Sequence, residues 1–83
     1  MGFLYILQSE STGRFYVGST DDLQLRVNEH IHGKNLATRG RGPWKLVHSE
    51  RTVTLADARR REYEIKRWKS AKLIRALIQA TVS

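Results

Sequence analysis

FLYILQSESTGRFYVGST, residues 3–20, decides how the chain folds. FLYILQ at 3–8 is an apolar run too short for a helix, and RFYVG at 14–18 is rich in aromatic and β-branched residues. SESTG between them is turn chemistry, with Gly13 able to take a positive φ. The stretch is a β-hairpin with a tyrosine on each strand, Tyr5 and Tyr16. Setting Leu7 opposite Arg14 sets Tyr5 opposite Tyr16, and directly opposed residues share a sheet face with Cβ atoms about 4.5–5.5 Å apart. Two phenols on one face serve packing or chemistry, and the hairpin alone leaves both open.

Downstream, STDD at 19–22 reads as a helix start, with Ser19 or Thr20 as cap and Asp21 and Asp22 at the positive end of the dipole. This helix runs to about His32, where Gly33 ends it, with Leu23, Val27 and Ile31 as its apolar stripe. Residues 33–42, GKNLATRGRG, are a Gly-rich basic loop, and WKLVHS at 44–49 is a third strand. A second helix starts at Thr54, with Asp57 three residues on, and its inner stripe is Leu55, Ala58, Glu62 and Ile65. Ser70 caps a last helix with Leu73, Ile74, Leu77 and Ile78 as its apolar face. The expected fold is an α+β domain: a small three-stranded antiparallel sheet flanked by three helices, in the order strand, strand, helix, strand, helix, helix.

The 83 residues allow one domain, 1–83, with a single core. With no cysteine, disulfides, thiol nucleophiles and thiolate metal sites are excluded. No apolar run is long enough to span a bilayer and the N-terminus carries no signal-like segment, so a cytoplasmic protein without membrane contact is expected. The net charge of +7 is unevenly spread. Residues 1–33 balance to −2, while 34–75 balance to +9. That asymmetry suggests a surface facing a polyanion, nucleic acid before membrane.

Glu62 is the sharpest local anomaly. A carboxylate on a core-facing stripe costs several kcal/mol unless it is paired, protonated or bound to a cation. It either pairs with Arg26 or with one of Arg59, Arg60 and Arg61, or it holds a metal ion. Arg26 and His30 stand four apart along the edge of the first helix's stripe. Together with Tyr5 and Tyr16 these residues form a parts list for phosphodiester hydrolysis. Arginine forks onto a phosphate oxygen, a carboxylate anchors Mg²⁺, and Tyr or His orients or deprotonates water.

LYI at 4–6 and YVG at 16–18 resemble the two signature triplets of the GIY-YIG nuclease superfamily. The likeness continues through GST, the RVNEH helix and ARRREYEIKRWKS at 58–70. It is strongest to the small stand-alone bacterial members, which are similar to the N-terminal incision domain of the excision-repair excinuclease. The first triplet lacks the family's leading glycine, and no asparagine follows the glutamate as in some homing-endonuclease relatives. The resemblance implies a divalent-metal-dependent DNA endonuclease of the DNA-repair type, with a single Mg²⁺ or Mn²⁺. Its catalytic residues would be Tyr5, Tyr16, Arg26, His30 and Glu62, with Glu62 the metal ligand and Tyr5 slightly preferred for the base-like role. Gly18 would let substrate approach, and Lys34, Arg39, Arg41 and Arg59 would bind nucleic acid. DNA is the expected partner of a monomer, with RNA left open. A non-catalytic nucleic-acid-binding module on the same fold is the competing reading.

Overall fold

The computed structural model describes residues 1–35 and 38–80; two positions of the Gly-rich loop, 36 and 37, lie outside them. Its elements are β1 (Gly2–Ser9), β2 (Phe15–Thr20), α1 (Leu23–Ile31), β3 (Trp44–Thr52), α2 (Leu55–Trp68) and α3 (Ala71–Ala80). The expected element order and the antiparallel sheet are present, with β1 central in the order β2-β1-β3.

The hairpin register differs from the expected one by two residues. Tyr5 lies opposite Gly18, and Tyr16 opposite Leu7. A longer turn causes the slip: Ser9 N–H donates to Arg14 O at 2.9 Å, Gly13 N–H donates to Ser9 O at 2.9 Å, and Gly13 takes φ +76°. A two-residue slip preserves the faces because side chains alternate with period two. Both tyrosines therefore still share one side of the sheet.

β2 continues to Thr20, so Ser19 and Thr20 are strand residues and neither caps α1. Asp22 does, accepting from Leu25 N–H at 3.1 Å. α2 starts as expected, with Thr54 accepting from Asp57 N–H, and Ser70 caps α3 through Leu73 N–H. α3 seats Ile74 and Leu77 against the core but leaves Leu73 half exposed.

Alternation along β1 divides the interior in two. Leu4 and Ile6 join Val17 and Ile65 under α2, while Tyr5 and Leu7 join Trp44, Tyr16, Leu23 and Val27 under α1. The expected α1 stripe fails at its last turn: Ile31 is 53% exposed, and His30 is buried in its place. The helix turns Leu23, Val27 and His30 inward, a spacing of i, i+4, i+7 that is as helical as the expected i, i+4, i+8.

Candidate active site

Three aromatic rings meet beneath α1. Ring centroids lie 6.4 Å apart for Tyr5 and Tyr16, 5.7 Å for Tyr5 and His30, and 4.9 Å for Tyr16 and His30. Tyr5 Oη lies 3.0 Å from His30 Nε2, and His30 Nδ1 lies 2.7 Å from Thr38 Oγ1. Trp44 Nε1–H donates to Thr38 O at 2.9 Å, fixing the loop that carries the threonine. Tyr5, His30 and Thr38 are each no more than 2% exposed. The proton positions follow from counting donors. Among the described residues Tyr5 Oη has no second acceptor, so its proton points at His30 Nε2. Nδ1 then carries the ring proton and donates to Thr38 Oγ1, whose own proton reaches Asn35 O at 3.5 Å.

The electrostatics agree with a neutral pair. Burial, assisted by the nearby Arg26, holds the His30 pKa below its ordinary value, with Glu29 opposing. The Tyr5 phenol is pushed well above its ordinary range, by burial first and by Tyr16 next; Arg26 opposes this while Glu62 and Glu29 add to it. Arg26 and Glu62 are thus both within electrostatic reach of the Tyr5 hydroxyl. Arg26 itself pairs with Glu29 at 3.6 Å and stays partly exposed.

Glu62 is not the buried anomaly expected of a core stripe. Its side chain is 22% exposed, and neither Arg26 nor the 59–61 arginines form its ion pair. Ser19 Oγ donates to Oε1 at 2.5 Å, and Lys66 Nζ, one turn on, donates to Oε2 at 2.5 Å. The carboxylate stands at the edge of the stripe because Ser19, opposite Leu4, faces α2 from the edge strand. A metal would find one hard oxygen donor here, accessible from solvent and already satisfied by an exposed cation. Among the described residues no group of three or more Asp, Glu or His gathers elsewhere as an alternative site. A lone carboxylate fits Mg²⁺, which takes one or two carboxylates and keeps water and phosphate as its other ligands.

Tyr16 lines a surface depression of about 660 Å³ with Thr12, Arg14, Phe15, Arg41 and Trp44. A second depression, about 720 Å³, runs from Arg14, Phe15 and Tyr16 along the β2 edge to Lys66 and Lys69. Arg41 therefore lies near the phenols, whereas Lys34 and Arg39 are exposed on the loop after α1 and Arg59 on the outer face of α2. Gly18 is buried, and a β-carbon there would fall 2.5 Å from Tyr5 Cζ, so its missing side chain makes room for the Tyr5 ring.

Sequence reasoning missed Thr38, Arg14 and Ser19. Arg14 alone left a signal, as the only basic residue of the hairpin. Thr38 sits in a loop that reads as exposed and basic, and its role arises from tertiary packing.

The hairpin, the α1 arginine and histidine, and the α2 carboxylate define a nuclease-type fold of one family. Residues 1–75 match the model of the GIY-YIG catalytic domain, and the chain belongs to the GIY-YIG family. It is 41% identical over 73 residues to a UPF0213 protein of Halobacterium salinarum, covering 87% of this chain and 94% of that one. A UPF0213 protein of Staphylococcus aureus is 37% identical over 76 residues, covering 90% and 92%. The solution NMR structure of a UPF0213 protein from Bacillus halodurans superposes with a TM-score of 0.61 at 35% identity, over 98% of this chain and 86% of that one. No helix among the described residues is long and apolar enough to cross a membrane.

Proposed function

We propose that this chain is a divalent-metal-dependent endonuclease that hydrolyses DNA phosphodiester bonds, acting in DNA processing or repair in the cytoplasm. The observation that carries the reading is the buried hydrogen bond from Tyr5 Oη to His30 Nε2, with Tyr16 against the same imidazole at the wall of an arginine-lined depression. A phenol of pKa about 10 costs about 4 kcal/mol to ionise at pH 7, and burial raises that cost for Tyr5. Tyr5 therefore works as a relay and not as a standing phenolate. As the attacking water gives its proton to Tyr5 Oη, the Tyr5 proton moves to His30 Nε2. The new P–O bond forms while the bond to the leaving oxygen breaks, and solvent protonates that oxygen. Tyr16, less buried, orients the phosphate, and Arg26 and Arg14 carry its charge. Glu62 would hold one Mg²⁺ or Mn²⁺, which when bound supplies Lewis-acid polarisation of the phosphate.

Glu62→Gln tests the reading against a module that only binds. Gln keeps the shape and can still accept from Ser19. Only the partly exposed pair with Lys66 is lost, so stability should move by no more than about 1 kcal/mol. Cleavage of a labelled DNA panel in Mg²⁺ or Mn²⁺ should vanish, while DNA affinity persists or rises. A parent protein that cuts nothing in either metal, yet binds DNA as the variant does, points to the non-catalytic module.

A further inference from the structure

The outer face of α2 carries an aromatic ring among cations. Tyr63 is 64% exposed and belongs to neither apolar cluster of the core. At 3.6 residues per turn, Arg59, Tyr63, Lys66 and Arg67 fall within an arc of roughly 100°, and Glu62 follows about 40° beyond Lys66. All four of these arc residues are exposed. The Arg67 guanidinium carbon lies 5.5 Å from the Tyr63 ring centroid, which steadies the ring from one side. Of the bordering carboxylates, Glu64 is held by Arg61 at 3.3 Å and Glu62 by Lys66 at 2.5 Å, so the positive field of this face comes from Arg59 and Arg67.

We infer that Tyr63, braced by Arg67, is a stacking platform for an unpaired nucleobase, with Arg59 on a flanking phosphate. The assignment rests on the endonuclease reading for its substrate and adds which part of that substrate this face holds. A solvent-exposed aromatic between cations has the two features that single-stranded binders combine: a π-face for a base and positive charge for the backbone. A continuous duplex offers it no base face, since its bases are stacked on one another. A flap, a gap or a free end does. Tyr63 and Glu62 lie about 100° apart around α2, so the base is held one face round the helix from the carboxylate that would hold the metal. The platform therefore favours substrates that carry single-stranded character.

The test is binding without cleavage, in EDTA, of a short single strand carrying one fluorescent 2-aminopurine and of a blunt duplex of the same length. Tyr63→Ala should lose about 5- to 150-fold in affinity for the single strand, the range for one stacked base. It should abolish fluorescence quenching and leave duplex affinity and melting temperature as in the parent. Tyr63→Phe, which keeps the π-face, should bind as the parent does. Arg59→Gln should flatten the salt dependence on single strands, by about 0.7 in log–log slope for the one phosphate no longer neutralised. Tyr63→Ala binding single strands as tightly as the parent, or losing both substrates equally, overturns the platform. If the parent still cuts DNA, either result leaves the endonuclease reading standing. A parent that binds neither strand overturns both. Tyrosine-dependent single-strand binding by a parent that never cuts supports the platform and removes the endonuclease.

Discussion

The two faces of one sheet are built on opposite principles. Leu4 and Ile6 alternate with Tyr5 and Leu7 along the same strand, so neighbouring residues serve different interiors. Under α2 the interior is apolar: Leu4, Ile6, Val17 and Ile65, backed by Phe15, Val47, Trp68, Ile74 and Leu77. Under α1, buried hydroxyls and an imidazole are mixed with apolar groups, and each is satisfied by another member of the set. Burying a leucine or isoleucine contributes about 1.5–3 kcal/mol, whereas a satisfied internal hydrogen bond nets about 1 kcal/mol. The α2 face therefore supplies most of the stability. The α1 face uses its polar atoms to fix the orientation of three rings.

The sharpest way to break this division is to remove single hydroxyls from the α1 face. Tyr5→Phe and Tyr16→Phe should each lower the cleavage rate by about 10²–10⁴-fold, the range for lost acid–base help. Tyr5→Phe also leaves His30 Nε2 without a donor and should cost about 1 kcal/mol of stability. Tyr16→Phe should not. Single-turnover cleavage with urea melts of both variants checks this. Parental rates in both would make the phenols packing groups.

The α2 face should respond the other way. Ile65 is 1% exposed, and Ile65→Ala should destabilise the fold by about 2–5 kcal/mol through lost burial and a residual cavity. Below its melting transition the variant should keep the parental cleavage rate per folded molecule. A rate loss as large as that of the tyrosine variants would show that the two faces are not separable.

How much of this was legible in the sequence follows the same division. The fold and the apolar face came from periodicity, and the hairpin faces survived a wrong register because a slip of two cannot exchange them. Glu62 stood out because a carboxylate at a stripe position is costly, although it proved to lie at the stripe's edge and to pair with Lys66. The α1 face was less legible. Choosing Ile31 over His30 for the last inward position follows hydropathy, and the structure overrules it because Tyr5 and Thr38 together satisfy both imidazole nitrogens. Thr38 carried no local signal at all, since its partner lies eight residues earlier, across a loop.

Thr38 sharpens the comparison at intermediate size. Thr38→Val is nearly isosteric but leaves the buried Nδ1–H of His30 without an acceptor, at a cost of about 1–3 kcal/mol. Thr38→Ser restores the hydroxyl and should recover most of the stability and the cleavage rate. Equal behaviour of Val and Ser would mean that the methyl packing of Thr38, and not its hydroxyl, is what matters.

The smallest expected effect separates the faces by pH. His30, under α1, has its pKa lowered from 6.5, by burial first. The unfolded chain therefore takes up a proton on acidification that the native state refuses. Its contribution to stability is complete above about pH 6.5 and is lost as pH falls through the lower native value. Glu50 lies on the α2 side. Burial there pushes its carboxyl up but is outweighed by hydrogen bonds from Arg61 at 3.0 and 3.3 Å and from His48 at 2.8 Å, so its pKa is lowered from 4.5. Its contribution is complete above about pH 4.5 and is lost at still lower pH. Urea melts between about pH 8 and pH 3 should show two successive declines, the first steepening by at most about 1.4 kcal/mol per pH unit for one proton. His30→Gln should remove only the upper decline and Glu50→Gln only the lower. One decline that both substitutions abolish would mean that the two networks titrate as a unit through the sheet, and that its faces are not independent.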